Sequence, residues 1–424
     1  MRTETYKNVG ETLITETLSN GLTINIVPKP GFLKSYAMFT ANYGGADRRF
    51  KLAGQWLDTP AGVAHFLEHK MFDMPDGNAL NILSARGASP NAFTSSGLTA
   101  YHFACTSLFE ENLRTLLSFV STPYFTPESV QKEQGIIGQE IRMVEDDPGY
   151  ALYYNLLKCL YRNNPVRDSV AGTVESISEI TSETLYHCHE VFYRPANMTL
   201  SVIGSVDPDR VTALARELLP AGPGEVPERD YGEAEGAFPH KESLDVNMAV
   251  SAPQFLFGTK LEPAEKGEAR LRQRLTGELA LRLLFGASSP LYNSLYAGGL
   301  LNGSFDYELD YTAGTATLIA GGVSRNVGGV MDALHKEIVR IGEAGLDKAL
   351  FENVRRAYFG SKLRMLGSFS SLAQALAEGV FSGCRPLGAF EEIAAVSLAE
   401  TERFIRESFA PEKLALSVVS PPER

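Results

Sequence analysis

Residues 193–203 read YRPANMTLSVI, and residues 409–419, 216 positions later, read FAPEKLALSVV. Each stretch opens on an aromatic residue, any residue and a proline, passes two further positions and enters an alternating apolar run. Proline interrupts a helix, and apolar alternation at period two marks a strand with one buried face. A predicted helix precedes each copy, entered at Ile180-Thr181 and at Val396-Ser397. A unit that recurs at half the length of a 424-residue chain is the mark of a duplicated domain. Between the copies, residues 220–245 read PAGPGEVPERDYGEAEGAFPHKESLD, rich in Pro, Gly and Glu without apolar periodicity, the texture of a linker. The expected division is a first domain at 1–220, a linker at 221–245 and a second domain at 246–424.

Outward from the first copy, Asn20-Gly21 stands between two strand-like runs in 13–28 and predicts a hairpin. Further strands are expected at 34–43 and 91–105. Helices are expected at 61–72, 78–86, 108–120, 127–144, 150–161 and 182–191. The second half predicts helices at 269–285, 327–342 and 348–363 and strands within 304–322. Strands and helices mix without strict alternation, so each half reads as an α+β sandwich layer.

Composition narrows the function. With 44% apolar and 21% charged residues the chain is an ordinary globular protein, and no apolar run reaches the ~18 residues of a membrane span. A net charge of −12 argues against a sequence-independent nucleic-acid binder or a binder of anionic membranes. The first ten residues carry no apolar core of a leader peptide. Cys105, Cys159, Cys188 and Cys384 form no CxxC pair, as expected of reduced thiols in a cytoplasmic protein.

The residues that carry chemistry are His65-Phe66-Leu67-Glu68-His69. Thr59 is positioned to cap the helix that holds them, Pro60 suits its first turn, and Pro75-Asp76-Gly77 ends it. Histidines four apart lie one turn apart on one helix face, where two neutral imidazoles can share one Zn²⁺. Glu68 is placed to take a proton from water at the metal. Val63, Leu67 and Met71 recur on the opposite side as the anchor to the core. A third protein donor is needed, and the helix that begins at Thr126-Pro127 offers Glu133 and Glu140 on one face. Gly135 and Gly138 in that helix each cost ~1 kcal/mol relative to Ala, which close approach of another helix would offset. The order His-x-x-Glu-His is that of the inverzincins.

The likeness extends along the chain. HFLEHK, Asn91-Ala92-Phe93-Thr94, GIIGQEI with Glu133 upstream and Glu140 within it, AGTVESIS and SLYAGGL stand in the order and at about the spacing of the pitrilysin/insulinase family of zinc metallopeptidases. That family includes mitochondrial processing peptidase, and the chain resembles its bacterial YmfH-like members most. The resemblance implies two homologous α/β sandwich domains forming half of a clam-shell. It implies one Zn²⁺ per chain held by His65, His69 and Glu140, with Glu68 as general base and Glu133 as a supporting carboxylate. It also implies that Asn91 and Ala92 receive the backbone of a peptide or unfolded polypeptide by edge pairing. A homodimer, or a heterodimer with a paralogous and inactive subunit, would complete the chamber, with the linker as its hinge.

One departure stands against this likeness. Many relatives supply an Arg and a Tyr from the second half, whereas residues 294–301 here read SLYAGGLL, without the Arg. Tyr296 is the nearest candidate, with packing on a helix face as its plainer reading. The second half has no H-x-x-E-H and is expected to be catalytically silent. The function read from the sequence is therefore a zinc-dependent endopeptidase; the alternative is a non-catalytic partner subunit used for binding or assembly. His187-Cys188-His189 and the four tyrosines of 150–161 read as structural.

Overall fold

The computed structural model describes residues 1–222 and 224–422; Pro223, inside the expected linker, and residues 423–424 lie outside the described residues. The chain forms two compact units, one comprising Met1–Ile141, Ser169–Tyr231 and Arg364–Leu387, the other Arg142–Asp168, Gly232–Leu363 and Gly388–Arg424.

The first unit is built on a seven-stranded sheet. Its order is Arg2–Tyr6, Glu11–Thr17, Thr23–Pro28, Met198–Gly204, Ser35–Ala41, Thr99–Cys105 and Ser89–Thr94. All neighbours are antiparallel except Met198–Gly204 on Thr23–Pro28. The expected hairpin turns at Asn20, whose side-chain oxygen accepts from the Leu22 N–H. Alternate strand residues such as Ala37, Phe39, Tyr101, Phe103, Leu200 and Val202 meet the apolar faces of the helices in one core.

The second unit repeats this pattern. Its five-stranded sheet runs Ser243–Asn247, Ala415–Ser420, Gln254–Leu261, Ala316–Val323 and Asp306–Asp310. The strand that closes each half again lies parallel to one neighbour and antiparallel to the other. The two aromatic-x-Pro frames behave alike, each making a single 3₁₀ turn, Pro195–Asn197 and Pro411–Lys413, before its strand. The preceding helices Ser182–Phe192 and Leu398–Ser408 are capped by the Thr181 and Ser397 hydroxyls. The fold is α+β and duplicated.

The compact units depart from the contiguous halves expected from the sequence. Helix Pro148–Leu160 belongs to the second unit, where Leu156, Leu157 and Leu160 pack with Leu256, Ile319 and Ala415. Helix Phe369–Ser382 belongs to the first unit and packs on Met198–Gly204 and Ser35–Ala41. Both of those strands are buried at every position, so both faces of the sheet need a cover. The exchanged helix supplies the second one.

The expected linker is also more tightly held than its composition suggests. Within the first unit, the Arg229 guanidinium lies 2.9 Å from the buried Asp47 carboxylate, and the Tyr231 hydroxyl donates to the same group at 2.8 Å. Lys51 pairs with Glu228 and Arg49 with Asp230. Within the second unit, the Glu235 carboxylate accepts from the backbone N–H groups of Arg162, Asn163 and Asn164 at 2.6–3.0 Å. Charged side chains in a sequence without periodicity thus find fixed partners within each unit, and the boundary between the units falls inside the stretch, between Tyr231 and Gly232.

Candidate metal centre

The paired histidines sit on helix Val63–Lys70 in the first unit. Val63, Leu67 and Met71 are buried as expected, and Phe66 joins them. The cap differs from expectation. Gly62, at φ +94°, precedes the helix without a side-chain cap, while the Thr59 hydroxyl donates to the Arg48 carbonyl. A Cβ on Gly62 would lie 2.6 Å from the Ala171 carbonyl oxygen, and one on Gly172 would lie 2.5 Å from that of Ala61. The helix thus starts where two backbones touch, a contact that requires glycine in the left-handed region.

His65 and His69 stand with ring centroids 4.6 Å apart. Helix Pro127–Glu145 presents Glu133 and Glu140 to them, with buried Ile137 between the two as its anchor. One Glu140 oxygen lies 3.7 Å from His65 Nε2 and the other 3.8 Å from His69 Nε2. Ligand atoms of His65, His69 and Glu140 all lie within 4.8 Å of one another, the one such group of three or more among the described residues. Two donors bound tetrahedrally to Zn²⁺ at ~2.0–2.1 Å sit about 3.4 Å apart, so this donor set fits the ion with little movement.

The surroundings set the protonation pattern. Burial, and then the neighbouring His69 charge, push His65 down to about 4, so its ring is neutral near pH 7. His69 Nδ1 is 3.0 Å from Glu133 Oε1. An ionised carboxylate only accepts, so Nδ1 carries a proton and Nε2 is the nitrogen left to face Glu140 and a metal. Burial pulls His69 down, but the Glu133 hydrogen bond and the charges of Glu68, Glu133 and Glu140 raise it overall. Burial would raise Glu133 too, yet the His69 contact and the Lys70 and Lys132 charges hold it below the usual carboxylate range. His65 Nδ1, by contrast, is buried with no hydrogen-bond partner.

Glu68 is 8% exposed and accepts from the Thr94 hydroxyl at 3.0 Å. Burial raises its carboxyl above the usual range against the pull of His69 and Thr94. Thr94 ends Ser89–Thr94, the outer strand of the sheet, which among the described residues pairs only with Thr99–Cys105. On that strand Asn91 is exposed and Ala92 half-buried, and the Ala92 N–H is met by the Asn91 side-chain oxygen at 2.9 Å. The structure therefore brings His65, Glu68, His69, Glu133 and Glu140 together, and sets Asn91 and Ala92 on an open sheet edge.

Other expectations meet mixed outcomes. Gly135 has open space around it, so no helix approaches there, although Gly138 is buried. Tyr296 is 55% exposed and stacks on Tyr292 with centroids 5.9 Å apart, rather than being packed away. His189 Nε2–H donates to the Val120 carbonyl, Cys188 is buried, and the Tyr161 hydroxyl bonds Thr317, all structural as read. The Thr94 contact and the burial of Lys70, 2% exposed, escaped the sequence reading. Lys70 falls seven residues after Val63 on the apolar stripe, a break in periodicity that could have flagged it.

Known proteins bear on this arrangement. Residues 53–174 match the family Insulinase (Peptidase family M16), and residues 179–358 match Peptidase M16 inactive domain. The uncharacterized zinc protease YmfH of Bacillus subtilis (strain 168) is 38% identical over 425 residues, covering 98% of each chain. A solved M16-like peptidase from Alicyclobacillus acidocaldarius is 31% identical, with a TM-score of 0.92 over 97% of this chain and 99% of that one. Pitrilysin, at 17% identity and a TM-score of 0.79, covers 99% of this chain with 46% of its own and shares the fold. With the inverse histidine motif, the duplicated sheets and relatives matched end to end, this chain belongs to the insulinase family of peptidases, family M16.

Proposed function

We propose that this chain is a zinc-dependent endopeptidase acting on extended peptides or unfolded segments. One observation carries the reading: two imidazole Nε2 atoms on one helix and the carboxylate of Glu140 on another converge on one point. Zn²⁺ held there, one per chain, supplies Lewis acidity that polarises an amide carbonyl and acidifies water. His65, His69 and Glu140 are its ligands in this reading, and three protein donors leave a position open. Glu133 keeps His69 in the tautomer that offers Nε2. Glu68 takes the proton of the attacking water on the oxygen that Thr94 does not hold and delivers it to the leaving amine nitrogen. Its raised proton affinity suits both halves of that transfer.

Asn91 and Ala92 receive the substrate backbone as an added strand, a mode that reads main chain and tolerates many sequences. A folded domain cannot offer such a strand without first opening. The first domain is the catalytic one and the second, without H-x-x-E-H, is silent. The working form is a cytoplasmic dimer, with a second copy or an inactive paralogue. Among the described residues no helix is long and apolar enough to cross a membrane.

The test joins metal analysis to cleavage of an unstructured peptide library. Wild-type protein is expected to hold stoichiometric zinc and to cleave, and His65→Ala/His69→Ala to lose both. Glu68→Gln is expected to keep zinc while turnover falls ~10²–10⁴-fold. Full turnover by Glu68→Gln, or full zinc content in the double-alanine protein, would overturn the assignment.

A further inference from the structure

We infer that Lys70 is a positioning residue for the metal centre: its buried ammonium fixes the far oxygen of Glu133 and, through Glu133, the orientation of His69. The inference rests on the proposed function and extends it to a residue outside the ligand set.

Lys70 closes helix Val63–Lys70, directly after His69, and is only 2% exposed. A lysine is almost never so buried unless paired, because an ammonium loses its hydration there. A methionine or leucine would continue the apolar stripe of Val63 and Leu67 without that cost. What the charge does is visible in its partners. The ammonium bonds the Asp73 carboxylate three residues on, and lies 3.9 Å from Glu133 Oε2. Glu133 therefore divides its oxygens, with Oε1 accepting from His69 Nδ1 at 3.0 Å and Oε2 facing Lys70. Glu68 and Glu140, two further carboxylates, interact with the same imidazole. Without Lys70, only the smaller pull of Lys132 is left to hold Glu133 beside those like charges, and the carboxylate is freer to turn from His69. His69 would then lose the contact that fixes its tautomer, the kind of outer contact on which metal affinity depends. His65 has no such support on Nδ1, so the centre relies on the His69 arm.

The experiment measures Zn²⁺ affinity of the metal-stripped full chain by competition with a chromophoric chelator. It compares wild type, Lys70→Met, Glu133→Gln and the double variant, with near-wild-type circular dichroism required of each. Each single variant is expected to bind Zn²⁺ about 10–100-fold more weakly. The double variant should match Glu133→Gln within about twofold, because residues acting through one path are not additive. A Lys70 that merely stabilises the helix would leave affinity unchanged, or give penalties that multiply in the double variant; either result overturns the inference. Lys70→Gln, which keeps a donor in a similar volume, carries the same cycle if methionine is not accommodated. A wild-type chain that binds no Zn²⁺ would overturn the proposed function itself, whereas tight wild-type binding with unaffected Lys70 variants overturns this inference alone.

Discussion

Replacing Gly62 by alanine tests how the helix of the paired histidines is set in place. Gly62 lies at φ +94°, and an added Cβ would meet the Ala171 carbonyl oxygen at 2.6 Å and Ile177 Cγ2 at 3.0 Å. Neither neighbour can yield easily. Residue 171 leads into Gly172, itself at φ +76° against Ala61, and the Ser176 hydroxyl ties the two segments by donating to the Ala61 carbonyl at 2.8 Å. The left-handed conformation costs an L-residue roughly 1–2 kcal/mol. A methyl forced into a filled space adds about 1–3 kcal/mol. The sum, about 2–5 kcal/mol, is a large part of the stability of an ordinary domain. The chain's one tryptophan, Trp56, lies in the same unit, so its fluorescence follows the unfolding of that unit. At about 2–4 °C per kcal/mol for a unit of this size, the midpoint should fall by on the order of 10 °C. Gly172→Ala should behave alike. A fall of under about 2 °C for both would refute the claim that backbone contact is what demands glycine at these positions.

Gly135 is the converse case, a helical glycine with open space around it; Gly135→Ala should stabilise by about 0.5–1 kcal/mol, read by the same fluorescence transition. Thr94→Val removes the hydroxyl that holds one oxygen of Glu68. On the proposed function, turnover should drop by roughly 10-fold with zinc content intact and recover in Thr94→Ser, as a peptidase assay beside metal analysis would record. Burial works against Glu235, but backbone N–H donors and Lys260 hold its carboxyl below the usual range. A depressed carboxylate contributes stability above its unfolded value, near 4.3, and loses it as pH falls through the folded value. Glu235→Gln should therefore be less stable than wild type at pH 7, with the gap closing below about pH 4 in denaturation followed by circular dichroism.

Much of this molecule was legible before any coordinate. The two histidines and the two glutamates could be paired because a metal demands donors on one helix face, and helical spacing exposes such faces. The duplication was legible because a proline between a helix and a strand leaves the same punctuation twice. Lys70 and Thr94 were not read, for different reasons. Lys70 announces itself only as one wrong residue on an apolar stripe, and Thr94 only once the outer strand is known to lie beside the motif helix. Thr59, a hydroxyl before a proline, is the commoner kind of helix start, and nothing local reveals that residue 171 lies against Gly62. The anchoring of the Pro/Gly/Glu-rich stretch is not legible because Arg229 and Glu235 act singly, through partners distant in sequence, and leave no period. The exchange of helices was hidden for a further reason: an amphipathic helix shows that it has an apolar face, never which sheet that face will cover.

The exchanged helices also order events in time. The first sheet has all its strands once residue 204 has been made, yet the helix that covers its second face is not complete until Ser382. At about 5–20 residues per second, synthesis leaves that sheet half-dressed for roughly 10–40 s. Through this interval Ser35–Ala41 and Met198–Gly204, the two strands buried at every position, lack their second cover while His65, His69 and Glu140 are already synthesised. A chain truncated before residue 369 would thus keep His65, His69 and Glu140 while lacking the helix that covers the second face of their sheet.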